Sequence, residues 1–266
     1  MLRKLLISLL LIWPHAAVAQ DLTEVDAELF LAVDVSRSMS ITDLELQRRG
    51  YAEALMSDDV VNAITSGFLG RVAVTYVEWA ANYSQRTVVG WRVISSREEA
   101  VAFAAELTAS FDSSMRRTSI SGAIDYAAHS IETNRFTARR RIIDISGDGP
   151  NNQGRPVIEA RDEALAAGFV INGLPLMTQE EPGLWFHLDN LDEYYQACVV
   201  GGPGSFVIPV NNWDQFPAAV RRKLALELAD GIDPPVATSI IPATTTIDCL
   251  IGEKMWEQRR RDWDSL

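Results

Sequence analysis

Three short segments of this chain carry side chains suited to holding a small, hard cation. Asp34-Val35-Ser36-Arg37-Ser38 sets a carboxylate and two hydroxyls on alternate residues. Thr118 adds a third hydroxyl and Asp148 a second carboxylate, each from a different stretch of chain. Mg²⁺ takes six oxygen donors in near-octahedral geometry and usually keeps several waters. Hydroxyls on alternate residues of a sharp loop, as at Ser36 and Ser38, can point to one side and bind an ion together. Each residue also has a plainer use. Asp34 could cap a turn, the serines could be ordinary loop residues, Thr118 could be a helix N-cap and Asp148 could make an Asp-Gly turn. The combination is what points to a site.

Such a site needs elements that deliver all three segments to one place. Residues 27–33 (AELFLAV) form a short apolar run ending at Asp34, as a strand buried on both faces would. Thr42-Asp43-Leu44-Glu45 reads as a capping box opening a helix to about residue 57, with Leu44, Tyr51 and Leu55 on one stripe. Residues 71–79 and 87–94 are rich in β-branched and aromatic side chains and flank a turn at 81–84, which predicts an antiparallel pair at a sheet edge. Helices are expected over 96–108 and 119–133, the second with Ile120, Ile124, Ala127 and Ile131 at helical spacing. A strand over 141–145 leads into Ser146-Gly147-Asp148-Gly149-Pro150. Pro156 opens the next helix and Gly168 closes it. Strands over 169–176 and 205–210 follow, then a helix after Trp213 with Phe216, Val220, Leu224 and Leu228 four apart.

Strands alternating with long helices predict an α/β fold: a doubly wound, mostly parallel sheet, helices on both faces, and one antiparallel edge strand. Ligands of such sheets bind beyond the carboxyl ends of the strands. Asp34, Thr118 and Asp148 all fall at that edge. Asp144 competes with Asp148 but falls inside its strand.

The chain ends and the charge narrow the setting. Arg3 and Lys4, the apolar run from Leu5 to Trp13 and the small residues Ala17-Val18-Ala19 read as a signal peptide over 1–19, cleaved before Gln20. That run falls short of the about 20 apolar residues a membrane span needs, so the mature chain is expected to be exported and soluble, periplasmic or secreted. One domain is expected over 22–230, followed by a tail over 231–266 that begins Pro- and Thr-rich and ends in a charged, candidate helical segment at 253–263. The whole chain has 24 basic and 36 acidic residues, and loss of Arg3 and Lys4 leaves 22 against 36, a net charge of −14. So acidic a chain repels a phosphate backbone, which argues against nucleic acid. Cys198 and Cys249 are expected to pair in an oxidising compartment and pin the tail, two separate buried thiols being the alternative.

D-x-S-x-S after an apolar strand, Thr118 at a later helix start and Asp148-Gly149 after the next strand resemble the metal-ion-dependent adhesion site of von Willebrand factor A and integrin I-type domains. The likeness runs from about residue 27 to 228. More narrowly, the chain resembles a group of exported bacterial proteins carrying this domain, a domain of unknown function. The resemblance implies Ser36, Ser38 and Thr118 as direct ligands of Mg²⁺ or Mn²⁺, with Asp34 and Asp148 holding bound waters and orienting the hydroxyls. Neutral direct ligands leave the cation's charge poorly quenched, so it takes a Glu or Asp carboxylate from a protein partner. The chain departs from the commoner pattern in one place: Ser146-Gly147 precedes Asp148 where Thr-Asp-Gly is often found.

Other features bear on the alternatives. The long segment 177–192, with Glu180, Glu181, Trp185, Phe186 and His187, reads either as a binding loop beside the cation or as aromatics folded onto the core. Asn151 and Asn152 read as turn residues, and Arg139-Arg140-Arg141 as a solvated strand start. Enzyme chemistry finds little support: only His129 and His187 follow the leader, and no G-x-S-x-G, phosphate-loop, H-E-x-x-H or G-x-G-x-x-G motif opens a helix. No catalytic residue is expected. A cation-dependent protein-binding module is the leading expectation, with a structural cation in an envelope or secretion assembly second and a metal-dependent hydrolase third.

Overall fold

The first long strand sets the geometry of the rest. In the computed structural model, which describes residues 22–109, 115–178, 188–229 and 247–264, β2 (Ala27–Asp34) is buried at every position. It follows the short β1 (Thr23–Glu24) and pairs in parallel with β3 (Val72–Trp79) on one side and β6 (Arg140–Gly147) on the other. A strand covered on both faces and both edges favours apolar side chains, which explains the run, and its one internal acid, Glu28, is buried against Asn134. β4 (Gln85–Ile94) lies antiparallel to β3, and β7 (Val170–Pro175) parallel to β6, giving the order β4-β3-β2-β6-β7. The short β5 (Phe136–Thr137) pairs with β1 apart from this sheet. The fold is therefore the expected mostly parallel sheet with one antiparallel edge strand. From β2 the chain winds outward to β3 and β4, then returns to β6 and β7, so the order reverses between β2 and β6.

Helices cover both faces. α1 (Ile41–Met56), α2 (Asp58–Thr65), α3 (Arg97–Leu107) and α7 (Phe216–Leu228) close one core, where Tyr51 meets Tyr76 and Phe216 edge-on at ring separations of 5.4 and 5.9 Å. α4 (Ile120–Glu132), α5 (Val157–Ala166), α6 (Leu191–Tyr194) and a π-helical turn at Tyr195–Val199 close the other. Among the described residues no helix is long and apolar enough to cross a membrane.

Several local expectations change. The capping box is Ser40 with Asp43, not Thr42 with Glu45: the Ser40 hydroxyl accepts from Asp43 N, and the Asp43 carboxylate accepts from Ser40 N at 2.9 Å. Ser57 ends α1 and caps α2, a break the sequence pattern hides. Residues 205–210 do not form a strand but touch β7 and the residue after it through isolated bridges, Val207 with Gly173 and Val210 with Leu176. Pro209 between them has no N–H to give, so the ladder cannot run on. Arg140 and Arg141 are not a solvated strand start. Arg140 donates to the carbonyls of Glu227, Leu228 and Ala229 at the end of α7, and Arg141 donates to Ala167 at the end of α5, where helix carbonyls lack partners and cations are favoured. The expected leader at 1–19, most of the 177–192 segment and the start of the tail lie outside the described residues.

Cys198 and Cys249 form a disulfide with Cα atoms 5.6 Å apart. It ties the π-helical turn to the start of α8 (Ile251–Asp264), the helix expected at 253–263. Closing a loop across a separation of 51 residues should restrict the unfolded chain by about 2–4 kcal/mol. The Cys198→Ser, Cys249→Ser double variant should lose roughly that much stability in urea denaturation; an unchanged midpoint would contradict it.

Beneath α7 lies a buried ionic cluster. Lys223 Nζ is 2.6 Å from Asp144 Oδ1 and also pairs with Glu227, all three essentially inaccessible to solvent. Two carboxylates share one ammonium, and burial pushes Glu227 up to about 7 against its ordinary 4.5. The fold then holds a proton that the unfolded chain has released between those values. The stability from that proton is fully present below pH 4.5 and is lost as pH rises through about 7. Glu227→Gln should flatten the fall of stability over this window, measured by urea denaturation at several pH values. Equal slopes in wild type and variant would contradict this assignment.

Candidate cation site at the strand crossover

β2 ends at Asp34 and β6 at Gly147, adjacent parallel strands whose carboxyl ends open on the point where the sheet order reverses. Crevices form at such points because the connecting segments leave in opposite directions. Asp34 and Asp148 meet there. Asp34 is fully buried; its Oδ1 accepts from Ser36 N at 2.7 Å, the turn that sends the chain back across the strand end. Its Oδ2 is buried without a hydrogen-bond partner among the described residues. Ser36 Oγ and Ser38 Oγ are 2.9 Å apart, and Ser38 Oγ donates to Asp148 Oδ1 at 2.9 Å.

These distances are informative. Two oxygens on adjacent corners of an octahedron with metal–oxygen bonds of about 2.1 Å are about 3.0 Å apart. The Ser36–Ser38 spacing equals such an edge, so their mutual hydrogen bond could be exchanged for a shared cation with little backbone movement. The charge balance points the same way. Burial first, and the Asp148 charge second, push the Asp34 carboxyl well above its ordinary range, and the hydrogen bonds from Ser36 only partly offset this. A divalent cation would relieve both causes. Among the described residues no group of three or more His, Cys, Asp or Glu side chains could hold a metal ion.

Thr118 is tied through its main chain to the segment after Asp148. Its N–H donates to Asn152 Oδ1 at 3.1 Å and its carbonyl accepts from Asn152 N at 2.9 Å, which fastens it four residues beyond Asp148. Met115 pairs with Ser36 in a parallel bridge, its N–H donating to Val35 O at 2.8 Å, and brings the same segment against the D-x-S-x-S loop. The N-cap of α4 is Ser119, whose hydroxyl accepts from Gly122 N at 3.1 Å. Thr118 is therefore buried without being consumed as a cap. Arg117 takes a left-handed backbone, φ 77°, with its guanidinium 3.5 Å from the Trp256 ring centroid in α8. Strain of this kind persists only where packing enforces it.

Asn151 and Asn152 are clamps rather than turn residues, since Asn151 Oδ1 also accepts from Ser121 N at 3.0 Å and its Nδ2 donates to Glu253 of α8 at 2.7 Å. Asp144, the rival carboxylate, is occupied by Lys223. His129 is exposed on α4. Glu180, Glu181, Trp185, Phe186 and His187 lie outside the described residues.

Two residues were not found from sequence. Tyr195, in the π-helical turn, is fully buried with a hydroxyl that lacks a partner among the described residues, and burial followed by the Asp34 charge pushes it well up. Gly147 makes the room: a Cβ there would lie 2.9 Å from both Asp34 Oδ2 and the Tyr195 hydroxyl. The departing Ser146-Gly147 was the one available signal. Gly147→Ala should therefore cost about 1–3 kcal/mol of stability, read by urea denaturation, and wild-type stability would show that the crowding is not real.

A family profile described as protein of unknown function (DUF1194) matches residues 24–232. No curated protein matches the chain. Among solved structures, the pilus adhesin SpaC of Lactobacillus rhamnosus GG, in its open conformation, superposes with a TM-score of 0.57 at 10% identity, over 76% of this chain and 30% of that one. A von Willebrand factor type A protein of Catenulispora acidiphila gives 0.50 at 14% identity, over 76% and 42%. Proximal thread matrix protein 1 of the mussel byssus, with a zinc-occupied MIDAS motif, gives 0.52 at 13%, over 75% and 46%. The chain spans less than half the length of each, and at these identities the likeness is one of fold: the architecture is that of von Willebrand factor A-type domains.

Proposed function

This chain belongs to the DUF1194 family, proteins of unknown function, and we propose that it is an exported protein-binding module that grips an acidic side chain of a partner through a divalent cation. The observation that carries this reading is the buried, unpartnered Asp34 Oδ2 beside Asp148, with two serine hydroxyls at cation-sharing distance. Ser36, Ser38 and Thr118 would bind the ion directly, and Asp34 and Asp148 would hold its waters and orient the hydroxyls. Mg²⁺ or Mn²⁺ suits hydroxyl, carboxylate and water donors. The cation would supply an under-neutralised positive charge, completed by a Glu or Asp carboxylate of the partner. The zinc-occupied motif of the mussel protein and the adhesin fold of SpaC support this at the level of the fold.

Export rests on the leader-like residues 1–19, with the disulfide in support, since such bonds persist in oxidising compartments. The domain is proposed to span 22–230 and the tail 231–266. No catalytic role is assigned: Asp34 and Asp148 are already engaged with the hydroxyl cluster, which leaves neither placed as a general base.

A cation that serves only the fold is the second reading, favoured by the complete burial of Asp34. Ser38→Ala separates the two. For a recognition site, wild type and variant should unfold at the same urea concentration in chelator. Mg²⁺ at a hundred times its dissociation constant should then stabilise wild type alone by about 2.7 kcal/mol. A wild type already unfolded by chelator would favour the structural reading, and equal stabilisation of the variant would remove Ser38 from the site.

A further inference from the structure

Two arginines lie beside the crevice on a chain whose net charge is −12. Arg37 sits between the two site serines, and Arg116 lies between Met115 and Thr118; both are exposed. Because Ser36 and Met115 form a parallel bridge, the residues that follow them leave from neighbouring chains, about 5 Å apart in such pairing. Two guanidinium-bearing residues are thereby set beside each other. Neither forms an ion pair among the described residues, whereas Arg48, Arg86, Arg97 and Arg155 all do. Asp43, in the first turn of α1, accepts from the Ser40 cap.

Apolar side chains flank this pair. Ile41 is 67% exposed three residues beyond Ser38, and Tyr83 is 78% exposed in the turn between β3 and β4. That turn packs on the rim: Ser84 Oγ contacts Met115 Sδ at 3.0 Å, and Ala80 O accepts from Ser119 N at 2.7 Å.

We propose that Arg37 and Arg116 form a second anchor that takes a further carboxylate of the same partner segment, so that the ligand is a short acidic peptide with two carboxylates. This rests on the cation-dependent reading above and adds the partner's chemistry to it. Guanidinium groups carried by neighbouring segments can converge on one anion, and their planar donors match a carboxylate in paired hydrogen bonds. The chain as a whole is acidic, so a long polyanion is repelled overall, whereas a segment a few residues long needs only the two arginines. Ile41 and Tyr83 offer apolar contact to the residues beside the carboxylates.

The test uses the full chain in saturating Mg²⁺ and acetylated, amidated peptides in which a glutamate is followed, after one to three glycines, by aspartate or asparagine. The expected result is about tenfold tighter binding of the best aspartate peptide than of its asparagine twin. Arg37→Gln with Arg116→Gln should bring the ratio of the two affinities to about one, whatever shift is common to both peptides. Equal affinity for the twins, or a preference that survives in the double variant, would overturn the second anchor and leave the cation reading intact. Failure of the asparagine peptide to bind in a Mg²⁺-dependent way would overturn both. Tighter binding of a sulfated heparin disaccharide than of any aspartate peptide would overturn the peptide assignment.

Discussion

Two carboxylates meet at the carboxyl ends of neighbouring buried strands, and the rest of the upper edge is arranged around that meeting. Asp34 terminates β2, which is buried throughout, so its position is as rigid as the sheet. Asp148 follows β6, its parallel neighbour. Like charges brought together out of water raise each other's cost of ionisation. The surrounding chain moderates that cost with dipoles: Ser36 and the Asp148 main chain at Asp34, and the Ser38 hydroxyl at Asp148. Gly147 is needed because any side chain there would strike Asp34 and Tyr195.

Elsewhere the protein handles buried acids differently. Glu78 is bracketed by Arg48 and Arg86, and Asp144 and Glu227 share Lys223. Glu28 accepts from Asn134 at 2.7 Å and feels the Arg141 charge. No lysine or arginine among the described residues pairs with Asp34. This contrast between Asp34 and the ion-paired acids is what supports the proposed cation. The clamps from Asn151 and Asn152, the Arg117–Trp256 stack and the disulfide at the base of α8 all fasten the segments that frame this place. A preorganised site loses less conformational freedom when its ligand arrives.

Much of this was legible in the sequence because burial leaves a simple trace. A short, mostly apolar run without alternation is the trace a strand covered on both faces leaves, and the polar residue that ends it stands at the sheet edge, which is how Asp34 was placed. The preference for Asp148 over Asp144 came from the same logic, and the ion pair of Asp144 with Lys223 supports it. What stayed hidden depends on contacts between distant segments. Tyr195 reaches Gly147 from 48 positions along the chain through a π-helical turn that has no local signature. Arg140 looked like a solvated charge because its partners, the last carbonyls of α7, are backbone groups invisible in a sequence. The 205–210 segment had strand composition, yet Pro209 removes a donor and only isolated bridges form.

The central claim is a cation held by Ser36 and Ser38 between Asp34 and Asp148, and crystals of the protein grown with Mn²⁺ test it directly by anomalous scattering at the manganese edge. The account predicts one strong anomalous peak within coordination distance of both serine hydroxyls, lost in crystals of the Asp34→Ala, Ser38→Ala variant. A crevice without a peak at saturating Mn²⁺, or a peak bound by other residues, would contradict it.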